Sequence, residues 1–509
     1  MSRLEKSIKN LIMSFGNTLF SSLLNFISRT VFIDALGAEY LGLAGLLSNI
    51  LGFLSFSELG ISTAIGFSLY KPLAEKDYKT ISALMSLYRK AYSVIAVIVL
   101  TSGIGLFFFL DFFISPEQQP AGTDVAYFAF LFQIVSGYLF SYKTTLLSSD
   151  NQAYRIVPIG VCMNILQTVL QIAVLLLFKN YVIYILVHIF CSVGCMIIQN
   201  RYITRLYGHV DFYSEEKLDP EVQHRIKQNI GGLIITKIGD YLVNSTDNLI
   251  ITKLVSLTAT GIYSNYLMIR NLVNGIITTG FASINASMGN IVAVESDEKK
   301  LEIFDTLMFC AFVVYSFEAV CFLCLFNPFI GEIWLDESYL FDTFTVAVIV
   351  INNYLTGLRI PLITMKGAAG TYMEDSWIPF VFAGINLIAS IILVDFLGVA
   401  GVFLGTIIGS VFTADWYRPV IIYRNVFHAP VHQYFIKYLI YILLGFAYMA
   451  CAFWLCGFVR TQYAFADFLI KTLIAGLLPL GMNVLLFWRT KEFRAVRGMV
   501  IRLMKRSAK

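Results

Sequence analysis

From residue 11 to residue 488 the chain runs in apolar blocks of roughly 20 to 30 residues, each long enough as a helix to cross a bilayer core about 30 Å thick. The blocks are continuous rather than alternating. A membrane β-barrel, whose strands alternate over roughly ten residues, is thereby excluded, and helices are required to satisfy the backbone hydrogen bonds in lipid. Composition agrees: 58% of the residues are hydrophobic and 14% charged, where a soluble globule carries about 25% charged residues. An ordinary soluble enzyme does not fit. The pattern predicts an all-α polytopic membrane protein of about 14 transmembrane helices. They fall near 11–36, 40–70, 82–110, 125–147, 155–178, 181–200, 229–254, 258–290, 301–326, 342–365, 377–396, 398–417, 435–459 and 465–488.

The net charge of +4 matters less than where the cations lie. With Met1 on the cytoplasmic side, about 29 of the 37 Lys and Arg fall in or beside cytoplasmic segments, and only Lys179, Lys253 and Arg460 fall outside. The outer loops 111–124 and 327–342 carry acidic residues and no Lys or Arg. Both termini are therefore expected in the cytoplasm, and no nucleic-acid partner is implied. Arg3, Lys6 and Lys9 could open a signal peptide, but the block they precede exceeds 20 residues without a small-residue cleavage site. Met1 is expected to remain in the mature chain. After Trp488, Phe493, Val496, Val500 and Leu503 recur every three or four residues among Arg and Lys. This pattern fits a helix lying on anionic lipids.

Soluble-type catalysis has no support in the sequence. All eight cysteines lie in apolar blocks, and Cys321-x-x-Cys324 has no second pair to complete a metal site. Small packing residues are the expected reading. The histidines form no ligand set, and no Gly-rich phosphate loop, nucleophile elbow or HExxH helix occurs. No catalytic residue, metal or cofactor is expected.

A weak internal repeat sets Leu36-Gly37-Ala38-Glu39-Tyr40 against Leu257-Thr258-Ala259-Thr260-Gly261, at an offset of 221, and aligns the loops 75–79 and 296–300. The plan that follows is two six-helix bundles related by a parallel pseudo-two-fold, plus two extra helices. The expected boundaries are 1–200 and 229–425 for the bundles, 201–228 for a cytoplasmic linker, 426–488 for the extra helices and 489–509 for the basic tail. Gly401 and Gly405 read as helix-packing positions.

Chemistry must then lie among polar groups inside the helices, where an ionisable side chain costs roughly 2.5 to 3.5 kcal/mol. Eight stand out: Arg29, Glu58, Lys237, Asp240, Asp247, Arg270, Glu318 and Arg359. Facing lipid they would together cost on the order of 20 to 30 kcal/mol, so most must face water or one another. Helical spacing places Asn25 with Arg29, Asn244 with Lys237, Asp240 and Asp247, and Asn274 with Tyr263, Tyr266 and Arg270. Asn352 shares a face with Arg359. Helices one, two, seven and eight are corresponding pairs of the repeat, which suggests a polar cavity between two halves. Lys237 and Asp240, three apart, can equally form a structural ion pair, and Asn244 with Asp247 an interhelical hydrogen bond. Arg29 and Arg359 lie near enough to helix ends to snorkel. Arg270 lies near mid-membrane and fits a ligand role. A desolvated carboxyl favours its neutral form, so Glu58 and Glu318 suit a coupling proton.

The run from Tyr40 to Ile65, Tyr-Leu-Gly-Leu-Ala-Gly-Leu-Leu-Ser-Asn-Ile-Leu-Gly-Phe-Leu-Ser-Phe-Ser-Glu-Leu-Gly-Ile-Ser-Thr-Ala-Ile, is followed by Tyr70-Lys-Pro-Leu-Ala-Glu75. Together they resemble Wzx-type polysaccharide flippases. So do Asn244-Ser-Thr-Asp-Asn248 and Gly261-Ile-Tyr-Ser-Asn-Tyr266. Those flippases belong to the multidrug/oligosaccharidyl-lipid/polysaccharide exporter superfamily, with MATE drug exporters and MurJ-type lipid II flippases. The resemblance implies a monomeric carrier in the bacterial plasma membrane that moves undecaprenyl-diphosphate-linked oligosaccharide outward for capsule or another surface polysaccharide. A polysaccharide polymerase is a partner it suggests. On residue chemistry, the diphosphate is expected on Arg270, Arg29, Arg359 and Lys237, since guanidinium matches phosphate bidentately. Asn25, Asn244, Tyr263, Tyr266, Asn274 and Asn352 are expected to meet sugar. Proton or sodium coupling is implied, with Glu58, Asp240, Asp247 and Glu318 as its candidates. The alternatives are a lipid II flippase, a MATE-type drug exporter, against which three interior arginines weigh, and a non-transporting scaffold for polysaccharide-assembly enzymes.

Overall fold

The computed structural model describes residues 3–54, 61–216, 246–369 and 374–498. Sixteen long helices carry the fold among them. The first eight are α1 (Arg3–Leu36), α2 (Ala38–Leu54), α3 (Ile61–Glu75), α4 (Tyr78–Phe107), α5 (Thr123–Ser149), α6 (Val157–Phe178), α7 (Tyr181–Leu206) and α8 (Leu257–Val294). The rest are α9 (Asp297–Asn327), α10 (Thr343–Leu358), α11 (Ile360–Ala369), α12 (Ile378–Leu397), α13 (Val399–Val411), α14 (Ala414–Ile422), α15 (His432–Gly457) and α16 (Ala464–Phe487). No strand occurs among the described residues.

Eleven of the spans are long and apolar enough to cross a membrane. The protein is a multi-pass membrane protein of the all-helical kind that its hydropathy requires. The second, seventh and eighth expected spans are not among the eleven. Residues 55–60 of the second and most of the seventh lie outside the described residues, and α8 is long but polar, carrying Ser264, Asn265, Arg270, Asn271 and Asn274. Glu58, Lys237, Asp240, Asn244, the linker from 217 to 228 and the tail beyond 498 also lie outside the described residues.

Local chemistry explains the helix boundaries. Asp77 caps α4, its carboxylate accepting from Thr80 N at 3.1 Å, and Asn180 caps α7 by accepting from Ile183 N at 3.1 Å. Two expected helices are each observed as two pieces. The tenth breaks at Arg359, between α10 and α11, and the twelfth breaks at Phe412 and Thr413, between α13 and α14. Mean hydropathy is insensitive to such breaks because the flanking residues stay apolar.

The chain forms two compact units, Met1–Ser264 and Asn265–Lys509. In the first, α5 packs on α2, α3, α4 and α7, and α6 lies between α1 and α7. Tyr88, Tyr92, Tyr138 and Tyr142 form a buried edge-to-face ladder there. The outward side of α4 is apolar, with Val94, Val97, Ile98 and Ile104 exposed as a lipid-facing surface requires. In the second unit, α9 is central and packs on α10, α11, α15 and α16. Phe312 of α9 stacks on Tyr441 of α15 at 4.5 Å.

Two sets of glycines permit close helix contacts. A Cβ on Gly401 would meet the Leu393 carbonyl and one on Gly405 would meet Ser390, so the Gly401/Gly405 stripe lets α13 lie against α12. Ser390 donates to the Val402 carbonyl at 3.0 Å across that contact. The packing role expected for these glycines is therefore observed. In the first unit a Cβ on Gly42 would strike the Leu257 carbonyl, and one on Gly261 the Ala38 carbonyl. The contact is reciprocal. Leu257 and Ala38 open their helices and each faces the fifth residue of the other, so that Ala38 and Gly42 correspond to Leu257 and Gly261 at an offset of 219 residues. This register lies two residues from the one the sequence repeat suggests.

Candidate functional site

The polar groups of interest gather on α1 and the start of α8 in the first unit, and on α8, α9 and α10 in the second. In the first unit Arg29 is half-buried on α1. Its Nη2 donates to Ser264 Oγ at 2.5 Å and its Nη1 to the Ser264 carbonyl at 3.4 Å. Ser264 reaches it because the Gly42–Leu257 and Gly261–Ala38 contacts bring the first turns of α8 close to α2. Tyr184 of α7 lies beside the same guanidinium. Asn25, one turn earlier, is exposed, Tyr263 is buried and Asp247 is half-buried.

In the second unit Tyr266 is 1% exposed, and its hydroxyl is committed on both sides. It donates to Asn327 Oδ1 at 2.8 Å and accepts from Phe341 N at 3.0 Å, while its ring stacks on Phe341. This tyrosine ties α8 to the end of α9 and the following loop. One turn along, Arg270 is half-buried. It makes no hydrogen bond or ion pair among the described residues, and its buried Nε has no partner. Asn274 follows, donating to Asn353 Oδ1 on α10 at 2.9 Å.

Glu318, on α9, is 2% exposed, and neither carboxyl oxygen has a hydrogen-bond partner among the described residues. Arg270 is the cation nearest to influence it, though outside ion-pair distance, and the Asn353 amide faces it without hydrogen-bonding geometry. The close approach of α9 and α10 follows from Gly357, where any Cβ would run into the Tyr315 ring. Tyr315 precedes Glu318 by three residues and Asn353 precedes Gly357 by four, so this contact sets carboxyl beside amide.

Arg359 is held differently. Its Nη1 lies 3.5 Å from Asp415 Oδ1 and donates to Ser410 Oγ at 2.8 Å, while Nη2 donates to Thr356 Oγ1 at 2.7 Å. Asp375, 1% exposed, takes Lys366 and Arg418, the latter at 2.9 Å. Together these five charged groups knit α11 and α14 to the break after α10. Asn352 is buried nearby on α10.

Sequence reasoning missed Asn353, Ser264 and Asp415. The doubled Asn352-Asn353 inside an apolar helix was a usable signal, since the helical stripe accounts for only one of the two. Asp415 falls inside the block 398–417, where an acid needs a partner as much as Arg359 does. Ser264 carried no comparable signal.

No protein-family model matches the chain, and no curated protein sequence does. Solved structures do. A structure described as the lipid II flippase MurJ in an inward closed conformation superposes with a TM-score of 0.67 at 16% identity, covering 94% of this chain and 99% of its own. An inward-facing multidrug resistance MATE transporter of the MOP superfamily gives 0.59 at 13% identity, covering 85% and 95%. A MATE transporter from Vibrio cholerae gives 0.55 at 11% identity, covering 83% and 99%. The chain shares the all-helical fold of these solved transporters. At these identities the likeness is one of fold.

Proposed function

We propose that the protein is a flippase that moves an undecaprenyl-diphosphate-linked oligosaccharide from the cytoplasmic to the outer leaflet of a bacterial plasma membrane, feeding a polymerase of surface polysaccharide. The observation that carries this reading is Arg270, a half-buried guanidinium that makes no ion pair among the described residues. It lies thirteen residues into α8, about 20 Å along the helix axis, beyond easy reach of water at that end. A membrane helix that keeps such a cation unpaired favours an anionic ligand arriving from outside the chain, and a diphosphate matches the planar fork.

Arg29, also expected at the head group, already donates to Ser264 within the first unit. Arg359, engaged by Asp415, Ser410 and Thr356, serves the fold first. The fold likeness to a lipid II flippase fits a lipid carrier, whereas a drug exporter taking cations would be poorly served by Arg270. The asymmetry of Lys and Arg supports cytoplasmic termini.

The test is translocation by purified protein in vesicles, offering a diphosphate-linked oligosaccharide lipid, lipid II and a cationic dye in parallel. Arg270→Ala should slow the accepted diphosphate lipid by about 10- to 100-fold, the worth of a charge-assisted contact of about 1.5 to 3 kcal/mol, with normal protein yield. Unchanged flipping at normal yield overturns the assignment. Transport of the dye alone favours drug export, and preference for lipid II narrows the substrate to peptidoglycan precursor.

A further inference from the structure

Glu318 and Arg270 are two ionisable groups of the second unit whose buried polar atoms lack hydrogen-bond partners among the described residues, and they lie within electrostatic reach of each other. An ionised carboxyl buried without a hydrogen bond or a paired cation is strongly disfavoured, whereas a neutral carboxylic acid tolerates the same place. Around Glu318 the titratable or charged groups are Arg270 from α8 and Tyr315 and Cys321 from its own helix, with neutral Asn353 from α10. The other helices packed on α9, namely α11, α15 and α16, bring no ionised group to it among the described residues. A sodium ion would find too few oxygens here and a guanidinium repelling it. A proton needs only the carboxyl.

Resting on the flippase reading, we propose that Glu318 is a protonation site linked to the head-group site, such that a proton on Glu318 and an anion on Arg270 favour each other. With Glu318 ionised, the pair has no net charge, and the carboxylate competes with the diphosphate for the guanidinium. When a proton from water forms an O–H bond on Glu318, the pair carries a full positive charge and Arg270 is left to the ligand. The linkage is reciprocal: head-group binding must draw a proton onto Glu318 to the same extent. The sign has a consequence for energetics. Because proton and anion bind together, an inward proton gradient does not drive outward transport through Glu318. The residue sets how head-group affinity depends on pH.

Two measurements test this. In detergent, binding of an undecaprenyl-diphosphate lipid to the wild-type protein should strengthen from pH 8 to pH 6 by about tenfold more than binding to Glu318→Gln, which is fixed in the neutral state. Tenfold is the lower range for one charge-assisted contact. The ligand's own titration is common to both proteins and cancels. Equal pH slopes overturn the linkage; absence of binding in every protein at both pH values instead overturns the flippase reading. Infrared difference spectra on the ligand-free protein supply the second measurement. A carboxylic-acid band should appear on acidification, vanish in Glu318→Gln and persist to higher pH in Arg270→Ala, where the opposing cation is gone. A wild-type protein with no such band, or a band indifferent to Glu318→Gln, overturns the proposal whatever the lipid does.

Discussion

The Arg359–Asp415 pair allows the structural and ligand-binding roles of an intramembrane arginine to be separated. Arg359 and Asp415 have side chains 12% and 9% exposed, with Nη1 and Oδ1 3.5 Å apart. Removing one partner of a buried pair costs about 3 to 5 kcal/mol, because the other charge stays behind uncompensated. The two single changes are not equivalent here. Arg359→Met leaves Asp415 with only Arg418 nearby, and Arg418 is already bonded to Asp375, so about 3 kcal/mol is expected. Asp415→Leu leaves Arg359 its hydroxyl partners Ser410 and Thr356, so the loss should be nearer 2 kcal/mol. The double variant removes both charges and should cost less than the sum of the singles, with a coupling of about 1 to 3 kcal/mol. Denaturant unfolding of the purified protein in mixed micelles reads all four corners of the cycle. Additive losses would refute the pairing. Loss of transport in Arg359→Met at unchanged stability would refute the structural assignment altogether and return Arg359 to the head group.

The helix crossing of the first unit gives a sharper steric test. Gly42→Ala should destabilise by about 1 to 3 kcal/mol, since its Cβ meets the Leu257 backbone carbonyl rather than a side chain that could turn away. Gly45→Ala, where the nearest atom is the Thr260 methyl at 3.9 Å, should be nearly neutral, and equal effects in a thermal-stability comparison would contradict the crossing. At the start of α4, hydrogen bonds from the Thr80 side chain and amide hold the Asp77 carboxyl below its ordinary range. The folded form thus prefers the carboxylate, so this cap's contribution is present above the unfolded carboxyl range near pH 4 and fades as pH falls through it. Asp77→Ala should cost about 1 kcal/mol at neutral pH and remove that part of the acid dependence in pH-resolved hydrogen exchange of α4; an unchanged acid profile would show that the cap contributes nothing.

The fold was legible in the sequence for a simple reason. In lipid every backbone polar group must be satisfied within its own segment, so block length and apolarity alone determine the element type. Each of the fourteen expected blocks contains helix among its described residues. The interruptions at Arg359 and Thr413 were not legible, because hydropathy averages over a window wider than the one or two residues at which the backbone ladder breaks. Individual site residues were legible by cost. Arg270, Glu318 and Arg359 are each too expensive to face acyl chains and were recognisable on that ground. Their partners were not, because periodicity orders residues only along one helix. Arg359 meets Asp415 from 56 positions away, and Asn274 meets Asn353 from 79, each on a different element.

Helix α8 shows how such contacts position a site. In the second unit Tyr266 is bonded at both lone pair and proton, and Asn274 is bonded to Asn353. Hydrogen bonds to other elements therefore fix the helix one turn before and one turn after Arg270. The guanidinium between those anchors makes no hydrogen bond among the described residues. A side chain whose backbone is held on both sides loses less freedom when a ligand arrives, so more of the contact energy goes into binding. Tyr266 and Asn274, both expected to meet sugar, commit these hydrogen bonds to Asn327, the Phe341 amide and Asn353.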